Sequence, residues 1–367
     1  MAINLPIIRI TFKQLAASFI KRSERGNVIL IIKDDTDKTF KFKEYTQEID
    51  LIADKALYTT ENYAYISDCF LGKPSKVTVV RIDDIEGVFA DALDIVKGLE
   101  IGWIGIIEGT STQADQDALV AFVKAQRANK KNFKCAVFSP TIPPDDKGVV
   151  VLGNANVTFK DSRAEQTGDK YIPSLIGYLA GANVLRGTTY LTMSNLVSAE
   201  EPADIETAIN AGQLILINDD ATVKIGVGIN SLTDPPEGYP DGTKARGRDC
   251  IWLSKLFFST PIYPAFKAGY IGVLKNNLDN QMLFINEVNQ YFDGLESIDV
   301  LDNQYNNIAY IDIDTQKEAL NKSGVDVSKM TDAQVKQYTY KRDMYLKADI
   351  KILFAMENLN FGITMHN

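Results

Sequence analysis

The chain has 367 residues, enough for two or three domains. Its 39 basic and 48 acidic residues give a net charge of −9. A surface that binds nucleic acid needs a basic excess, so direct nucleic-acid binding is not expected. The three cysteines, Cys69, Cys135 and Cys250, are widely spaced. They predict buried thiols in a reducing cytoplasm rather than a disulfide framework or a metal knuckle.

The chain contains no candidate for a membrane helix or a signal peptide. No apolar run approaches the ~20 residues that span a bilayer. The short run 16–20 is followed, not preceded, by Lys21 and Arg22, the reverse of a signal peptide. We therefore expect no direct membrane insertion, and a protein made and kept in the cytoplasm unless its cell lyses.

In chain order, apolar Ile8, Ile10 and Phe12 alternate with polar residues, which predicts a strand in an arm over residues 1–22. Val28–Ile32 and Thr39–Phe42 are predicted strands. Thr60 is predicted to cap a helix over 61–71 that Gly72 ends. The next segment alternates strands and helices, which implies right-handed crossovers and a parallel sheet. The predicted strands are Val77–Ile82, Ile101–Ile107 and Phe133–Phe138; the predicted helices are Ile85–Lys97 and one capped by Thr112.

Residues 140–233 are predicted to hold short strands at 149–152 and 157–159 and helices at 171–180 and 202–211, the second with Pro202 in its first turn. Residues 214–217 and 223–229 then predict a hairpin around the turn 218–221. The segment 234–242, Asp-Pro-Pro-Glu-Gly-Tyr-Pro-Asp-Gly, is the best candidate for a linker or exposed loop.

Helices are predicted at 248–258 and 278–295, and 300–313 is predicted to be extended. Residues 348–354 alternate again and could pair with the last strand. That strand is predicted because apolar residues alternate with small or polar ones at Leu359, Phe361, Ile363 and Met365. Termini normally fray unless something holds them. Both ends are therefore expected to join a sheet, either in the same subunit or in a neighbouring one by strand addition.

No residue pattern predicts catalysis, a cofactor or a metal site. The single histidine, His366, is next to last in the chain, a poor position for a nucleophile system or a metal centre. No phosphate-binding loop is present, and Gly226-Val227-Gly228 lacks the third glycine of a dinucleotide fingerprint.

Pairs of aspartates are the remaining chemical candidates: Asp34/Asp35, Asp83/Asp84, Asp145/Asp146 and Asp219/Asp220. Two carboxylates could act as general acid and base or hold a hard cation. Asn and Asp also favour turns, and the turn interpretation is preferred for Asp219/Asp220. An α/β hydrolase-like enzyme using this pair is kept as the alternative function.

Several stretches, in this order and spacing, resemble the contractile tail sheath proteins of phages and of R-type bacteriocins, in their compact Gram-positive form. They are residues 20–26 (Ile-Lys-Arg-Ser-Glu-Arg-Gly), Lys33-Asp34-Asp35, 72–81 (Gly-Lys-Pro-Ser-Lys-Val-Thr-Val-Val-Arg), 228–233 (Gly-Ile-Asn-Ser-Leu-Thr), Tyr270-Ile271-Gly272 and 356–359 (Met-Glu-Asn-Leu). The match spans nearly the whole chain. Each motif is weak alone, and the ordered set carries the resemblance.

The resemblance implies an α/β (α+β multidomain) fold with a domain named subtilisin-like for its fold only, since no catalytic triad can be assembled. The implied division is an N-terminal arm at 1–22, a small β-rich domain at 23–75, the subtilisin-like α/β domain at 76–243, a C-terminal α/β sheath domain at 244–347 and a C-terminal strand arm at 348–367.

The resemblance also implies a non-enzymatic structural subunit. In that family, arms of one subunit add strands to neighbours' C-terminal domains, which ties sixfold rings into a helical sheath. The implied partners are other copies of the chain, the tail tube, and the baseplate and tail terminator proteins. Assembly would occur in the host bacterial cytoplasm, and the virion or bacteriocin tail would be released on lysis. The implied inter-subunit arm residues are Ile8, Ile10, Phe12, Leu359, Phe361, Ile363 and Met365.

Overall fold

The computed structural model describes residues 26–84, 87–107, 113–129, 131–182, 187–233 and 262–353. Its contacts define two compact units, whose described parts are residues 26–233 and residues 262–353. None of the helices within these ranges is both long enough and apolar enough to cross a membrane.

The first unit contains twelve described strands and six described α-helices. The strands are β1 (Asn27–Lys33), β2 (Phe42–Tyr45), β3 (Lys76–Ile82), β4 (Trp103–Ile107), β5 (Lys134–Phe138), β6 (Val149–Leu152), β7 (Asn156–Phe159), β8 (Glu165–Thr167), β9 (Leu196–Ala199), β10 (Gln213–Leu214), β11 (Leu216–Asp219) and β12 (Thr222–Ile225). The helices are α1 (Glu48–Ala53), α2 (Thr60–Asp68), α3 (Phe89–Val96), α4 (Gln113–Ala128), α5 (Ile172–Gly181) and α6 (Ile205–Asn210).

A seven-stranded sheet forms the centre of this unit, in the order β10-β6-β5-β4-β1-β3-β2. Every neighbouring pair is parallel except β2–β3. The chain builds outward from β1 first to β3 and then, on the other side, to β4, β5 and β6, which is a doubly wound arrangement. Residues 28–32 are all buried, as expected for a parallel strand covered on both faces.

Helices cover both faces of the sheet. Helices α3 and α4 pack on the face that carries Ile104 and Ile106. Helix α5 covers the other face at Gly105, where an added Cβ would lie 2.8 Å from side-chain atoms of Ile172 and Ile176. Smaller sheets, β8-β7-β9 and β11-β12, complete the unit.

The structure confirms the predicted α/β class, with several sheets, and shifts some element boundaries. Residues 23–75, predicted as a separate β-rich domain, instead supply β1 and β2 to the large sheet, because the apolar β1 is buried between β3 and β4. The subtilisin-like description and the other predicted boundaries stay predictions.

Two helices begin at a residue whose side chain accepts a hydrogen bond from a backbone N–H in the first turn. Thr59, not Thr60, caps α2, with its hydroxyl accepting from Asn62 N at 3.2 Å. Asp204 caps α6 through Thr207 N at 3.0 Å, so Pro202 lies before this helix rather than in its first turn. Helix α1 was not predicted, and β2 lies at 42–45 rather than 39–42.

The second unit contains four described α-helices and one two-stranded sheet. They are α7 (Ile262–Gly269), α8 (Leu278–Glu296), β13 (Ile308–Ile311), α9 (Ile313–Lys322), α10 (Asp332–Gln337) and β14 (Leu346–Asp349). Helix α8 confirms the predicted helix at 278–295 and buries Phe284, Val288 and Phe292. The helix predicted at 248–258 lies outside the described residues.

Candidate strand-addition site

The arm residues predicted from the sequence all lie outside the described residues, as does His366. They are Ile8, Ile10, Phe12, Leu359, Phe361, Ile363 and Met365. Their proposed role therefore stays a prediction. The described residues do contain a sheet edge that could receive an added strand. That edge belongs to the antiparallel pair β13–β14 in the second unit.

Strand β13 is closed on its outer side by helix α8. Asn289 Oδ1 accepts from Ala309 N at 2.7 Å, and Asn289 Nδ2 donates to Ala309 O at 3.5 Å. The backbone groups of Ala309 therefore point away from β14. Those of Ile308 and Tyr310 point toward β14, because consecutive residues of a strand alternate sides. No further strand can bond to Ala309 without displacing Asn289.

Strand β14 has the opposite arrangement. Ala348 pairs with Ala309 and Leu346 with Ile311, so the N–H and C=O groups of Ala348 and Leu346 point away from β13. The same alternation continues to Ile352, because Leu353 N donates to Val300 O at 3.0 Å. Within the described part of the chain nothing bonds the outward groups of Leu346, Ala348, Ile350 and Ile352. This row of groups is the β14 edge.

The side chains of the β14 edge extend an apolar face. Ala309 and Ile311 are buried on the side of β13 that packs against α8. Leu346 and Ala348 lie on this same side, but Leu346 is half-buried and Ala348 is exposed. An added strand with alternating apolar residues would place them beside Ala348 and enlarge this core. The two-stranded sheet would gain from it, since isolated strand pairs are marginally stable.

The opposite face of β14 is charged and internally paired. Lys351 Nζ lies 2.7 Å from Asp302 Oδ2, and this hydrogen bond holds the pKa of Asp302 below its usual value. The Tyr310 hydroxyl donates to Asp349 Oδ2 at 2.8 Å, which raises the pKa of Tyr310. Exposed charges of this kind discourage indiscriminate edge pairing. They leave the edge open to a strand of suitable pattern.

The sequence predicted part of this site. Alternation at 348–354 predicted a strand there, and the structure has β14 at 346–349 with a single bridge from Leu301 to Ile352. The extended segment predicted at 300–313 contains β13 only at 308–311. The role of Asn289 could not be predicted from the sequence, because an asparagine in the middle of a helix does not indicate which group it will hydrogen-bond.

The aspartate pairs organise turns. Asp220 and Ala221 have φ angles of 46° and 58°, the two left-handed residues of a type I′ hairpin turn. Asp219 closes β11, and its Oδ2 accepts from Lys224 Nζ at 2.6 Å, which raises the pKa of Lys224. The turn interpretation is therefore confirmed, and the geometry gives the catalytic alternative no support.

The carboxylates of Asp34 and Asp35 also accept hydrogen bonds from backbone N–H groups. Asp34 accepts from Thr36 N, Thr59 N and Asn62 Nδ2 at 2.8–2.9 Å. Burial opposes ionisation of Asp34, but these bonds together hold its pKa below the usual value. Asp35 accepts from Asp84 N at 3.0 Å. In the described ranges, no three or more His, Cys, Asp or Glu side chains are placed together so that they could hold a metal ion.

α/β enzymes usually bind substrates at the carboxyl ends of the parallel strands. In this protein a hollow lies at the carboxyl ends of β5 and β6. Its volume is about 330 Å³, and it is lined by Phe138, Pro143, Pro144, Leu152 and Ala211 among others. Among the described residues that line it, none has a titratable side chain.

Comparison with known proteins supports the resemblance. No family model matches the chain. The tail sheath protein of Clostridium phage phiCD119 is 27% identical over 372 residues, covering 98% of both chains. The predicted resemblance to tail sheath proteins is confirmed.

Solved structures agree at the level of the fold. The sheath tail protein from Listeria innocua superposes with a TM-score of 0.67 at 15% identity, covering 93% of this chain and 98% of that one. The helical sheath of the anti-feeding prophage in its contracted state also gives 0.67, at 12% identity and 99% of both chains. The sheath fold therefore extends over nearly the whole chain.

Proposed function

We propose that this protein is a structural subunit of a contractile tail sheath, which polymerises as helically stacked sixfold rings around a tail tube and contracts to drive the tube through a target envelope. The supporting observation is the match to a phage tail sheath protein over 98% of both chains. The role is structural rather than enzymatic. The proposed partners are further copies of the chain, the tube, the baseplate and the tail terminator.

The proposed assembly contact is strand addition at the β14 edge. Its outward N–H and C=O groups have no protein partner among the described residues, and the alternating apolar residues of both arms match its apolar face. Copies would be made in the host cytoplasm and released in the tail on lysis. Contraction would draw on the free-energy difference between two packings of the lattice and would need no nucleotide.

The first test is removal of residues 359–367 from the full-length, untagged protein. We expect the wild type to form hollow tubes of stacked rings in negative-stain micrographs. The shortened protein should keep its far-ultraviolet circular dichroism spectrum and melting temperature but form no tubes, because it lacks one of the added strands. Normal tubes from a folded, shortened protein would contradict the role of the arm.

A second test addresses the acceptor. Ala348→Pro removes only an N–H that points away from β13, so the β13–β14 ladder keeps its bonds. We expect a folded subunit whose tube yield falls at least about tenfold, since one lost edge bond is worth on the order of 1 kcal/mol at each of many contacts. Ala348→Val keeps the N–H and is the matched control. Equal tube yields for the two variants would rule out strand addition at this edge.

A further inference from the structure

A second surface of the unit 262–353 also has the features of a contact site. Residues 270–276 on one side and 341–344 on the other enclose a groove of about 580 Å³. The two sides are tied by Asn276, whose Nδ2 donates to Lys341 O at 3.3 Å and to Asp343 O at 3.0 Å. We call this groove, with its lining residues Phe266, Tyr270, Leu274, Lys275, Lys341 and Arg342, the basic groove.

Aromatic rings line one end of the basic groove. The rings of Phe266 and Tyr270 are stacked, with centroids 5.8 Å apart and planes at 13°. Both also contact Phe284 of α8, at 5.1 Å and 4.9 Å. Because α8 fixes them from behind, these rings form a firm apolar surface on which a flat or extended ligand could stack.

The rim of the groove is unusually apolar for a surface. Ile271 is 53% exposed, Val273 65% and Leu274 40%. These three belong to one four-residue segment, 271–274, so the exposed area is contiguous rather than scattered. Contiguous exposed apolar side chains beside a groove mark interaction sites.

The charge around the groove is positive. Lys275, Lys341 and Arg342 are exposed, and Asp343 is the only acidic residue in the lining. Within the described part of the chain, no carboxylate lies within 4 Å of any of these three cations. A partner with carboxylates and an aromatic or apolar centre would complement both the charge and the rings.

We propose that the basic groove binds residues 234–242 of a second copy of this chain. This segment, Asp-Pro-Pro-Glu-Gly-Tyr-Pro-Asp-Gly, carries three carboxylates and no basic residue, with Tyr239 between them. Its three prolines favour an extended conformation, which lowers the entropy lost on binding. Tyr239 would stack on Phe266 and Tyr270, while Glu237 and Asp241 would pair with Lys341 and Arg342. The inference rests on the proposed function only in requiring that copies meet.

A photo-crosslink tests the contact. Benzoylphenylalanine replaces Tyr239 in the full-length protein. Unlabelled protein with this replacement is mixed with an equal amount of the same protein labelled with ¹⁵N. Both the polymer and the concentrated soluble protein are then irradiated. We expect crosslinked peptides from 262–276 or 337–344 that join labelled to unlabelled chains. Crosslinks confined to one chain, crosslinks to other regions, or none in either sample would overturn the inference.

Charge reversal tests specificity. Lys341→Glu with Arg342→Glu should lower the inter-chain crosslink about fivefold, as expected for a few exposed ion pairs. Adding Glu237→Lys and Asp241→Lys should restore it. Lys329→Glu with Lys336→Glu makes the same charge change at exposed positions elsewhere in this unit and should leave the yield unchanged. Equal losses in both double variants would overturn the inference.

The two proposals fail separately. If the wild type forms tubes but Tyr239 crosslinks elsewhere, the groove proposal fails and the sheath function stands. If the wild type forms no tubes with tube and baseplate proteins present, the sheath function fails. The crosslinks in concentrated soluble protein still decide the groove.

Discussion

A single buried polar residue, Glu287, lowers the stability of the second unit. Glu287 on α8 is only 7% exposed, and its Oε2 has no hydrogen-bond partner among the described residues. Burial raises the pKa of Glu287, against a smaller opposing effect of the nearby Tyr270 hydroxyl. The folded state therefore favours the protonated carboxyl more than the unfolded state does. The free energy of unfolding falls as pH rises through the folded-state pKa of Glu287.

Glu287→Gln should remove this loss, because glutamine stays neutral at every pH. We expect equal stability of variant and wild type near pH 4 and a gain on the order of 1 kcal/mol for the variant at pH 8. Urea unfolding across this pH range measures it. Glu318→Gln, at an exposed position on α9, is the control and should track the wild type. A variant less stable than the wild type at pH 8 would mean that the ionised carboxylate has a favourable role.

At the residue scale the sequence predicted little, for a physical reason. Glu287 and Asn289 both lie in a correctly predicted helix, and the helical pattern says only which residues share a face. Segments about twenty residues away decide that Oε2 of Glu287 lacks a hydrogen-bond partner and that Asn289 bonds the backbone of β13. The turn at Asp220–Ala221 was predictable because its chemistry is local.

At the scale of secondary-structure elements, two glycines allow helix α5 to pack directly against the backbone of the loop that follows α2. Gly177 in α5 packs against this loop so closely that an added Cβ would lie 2.4 Å from Cys69 O. On the neighbouring turn, a Cβ on Gly181 would lie 1.6 Å from Gly72 O. The atoms met are backbone, so neither side can yield by a rotamer change.

Gly177→Ala should therefore destabilise the first unit even though alanine favours helix. The helix-propensity gain is at most about 1 kcal/mol. Overpacking costs about 1–3 kcal/mol, toward the upper end where rigid backbone cannot yield, so the expected net loss is about 1–2 kcal/mol. Thermal unfolding by circular dichroism measures it. Gly98→Ala is the matched control, since its Cβ would make an ordinary 3.5 Å contact with Ile95 O. A Gly177→Ala protein that melts with the wild type would show that α5 can shift.

The elements predicted best are those with strong local patterns. The apolar runs of β1, β3 and β4 and the long amphipathic α8 were all predicted within a few residues. Helix α1 was missed because it is short and exposes Ile49 and Ile52. The β14 edge could not be predicted, because alternation gives the two faces of a strand and not which of its edges has a neighbour.

At the scale of the whole molecule, charge is divided unevenly along the chain. Residues 1–25 carry five basic residues and one acidic one, a net charge of +4. Residues 26–233 carry 20 basic and 29 acidic residues, or −9, and residues 262–353 carry 10 and 13, or −3. The predicted N-terminal arm is thus attracted to the globular part of any other copy.

This asymmetry predicts that polymerisation is steered electrostatically. Raising salt from 50 to 500 mM shortens the screening length from about 14 to 4 Å, so we expect the initial rate of tube growth, followed by light scattering, to fall about tenfold. Arg9→Gln with Lys13→Gln should lower the rate at 50 mM and roughly halve the salt dependence. Lys322→Gln with Lys329→Gln, which removes the same charge from the exposed surface of the second unit, should not lower the rate. A rate that rises with salt in the wild type would mean that apolar burial, not charge, limits the encounter, and the basic arm would then act only after docking.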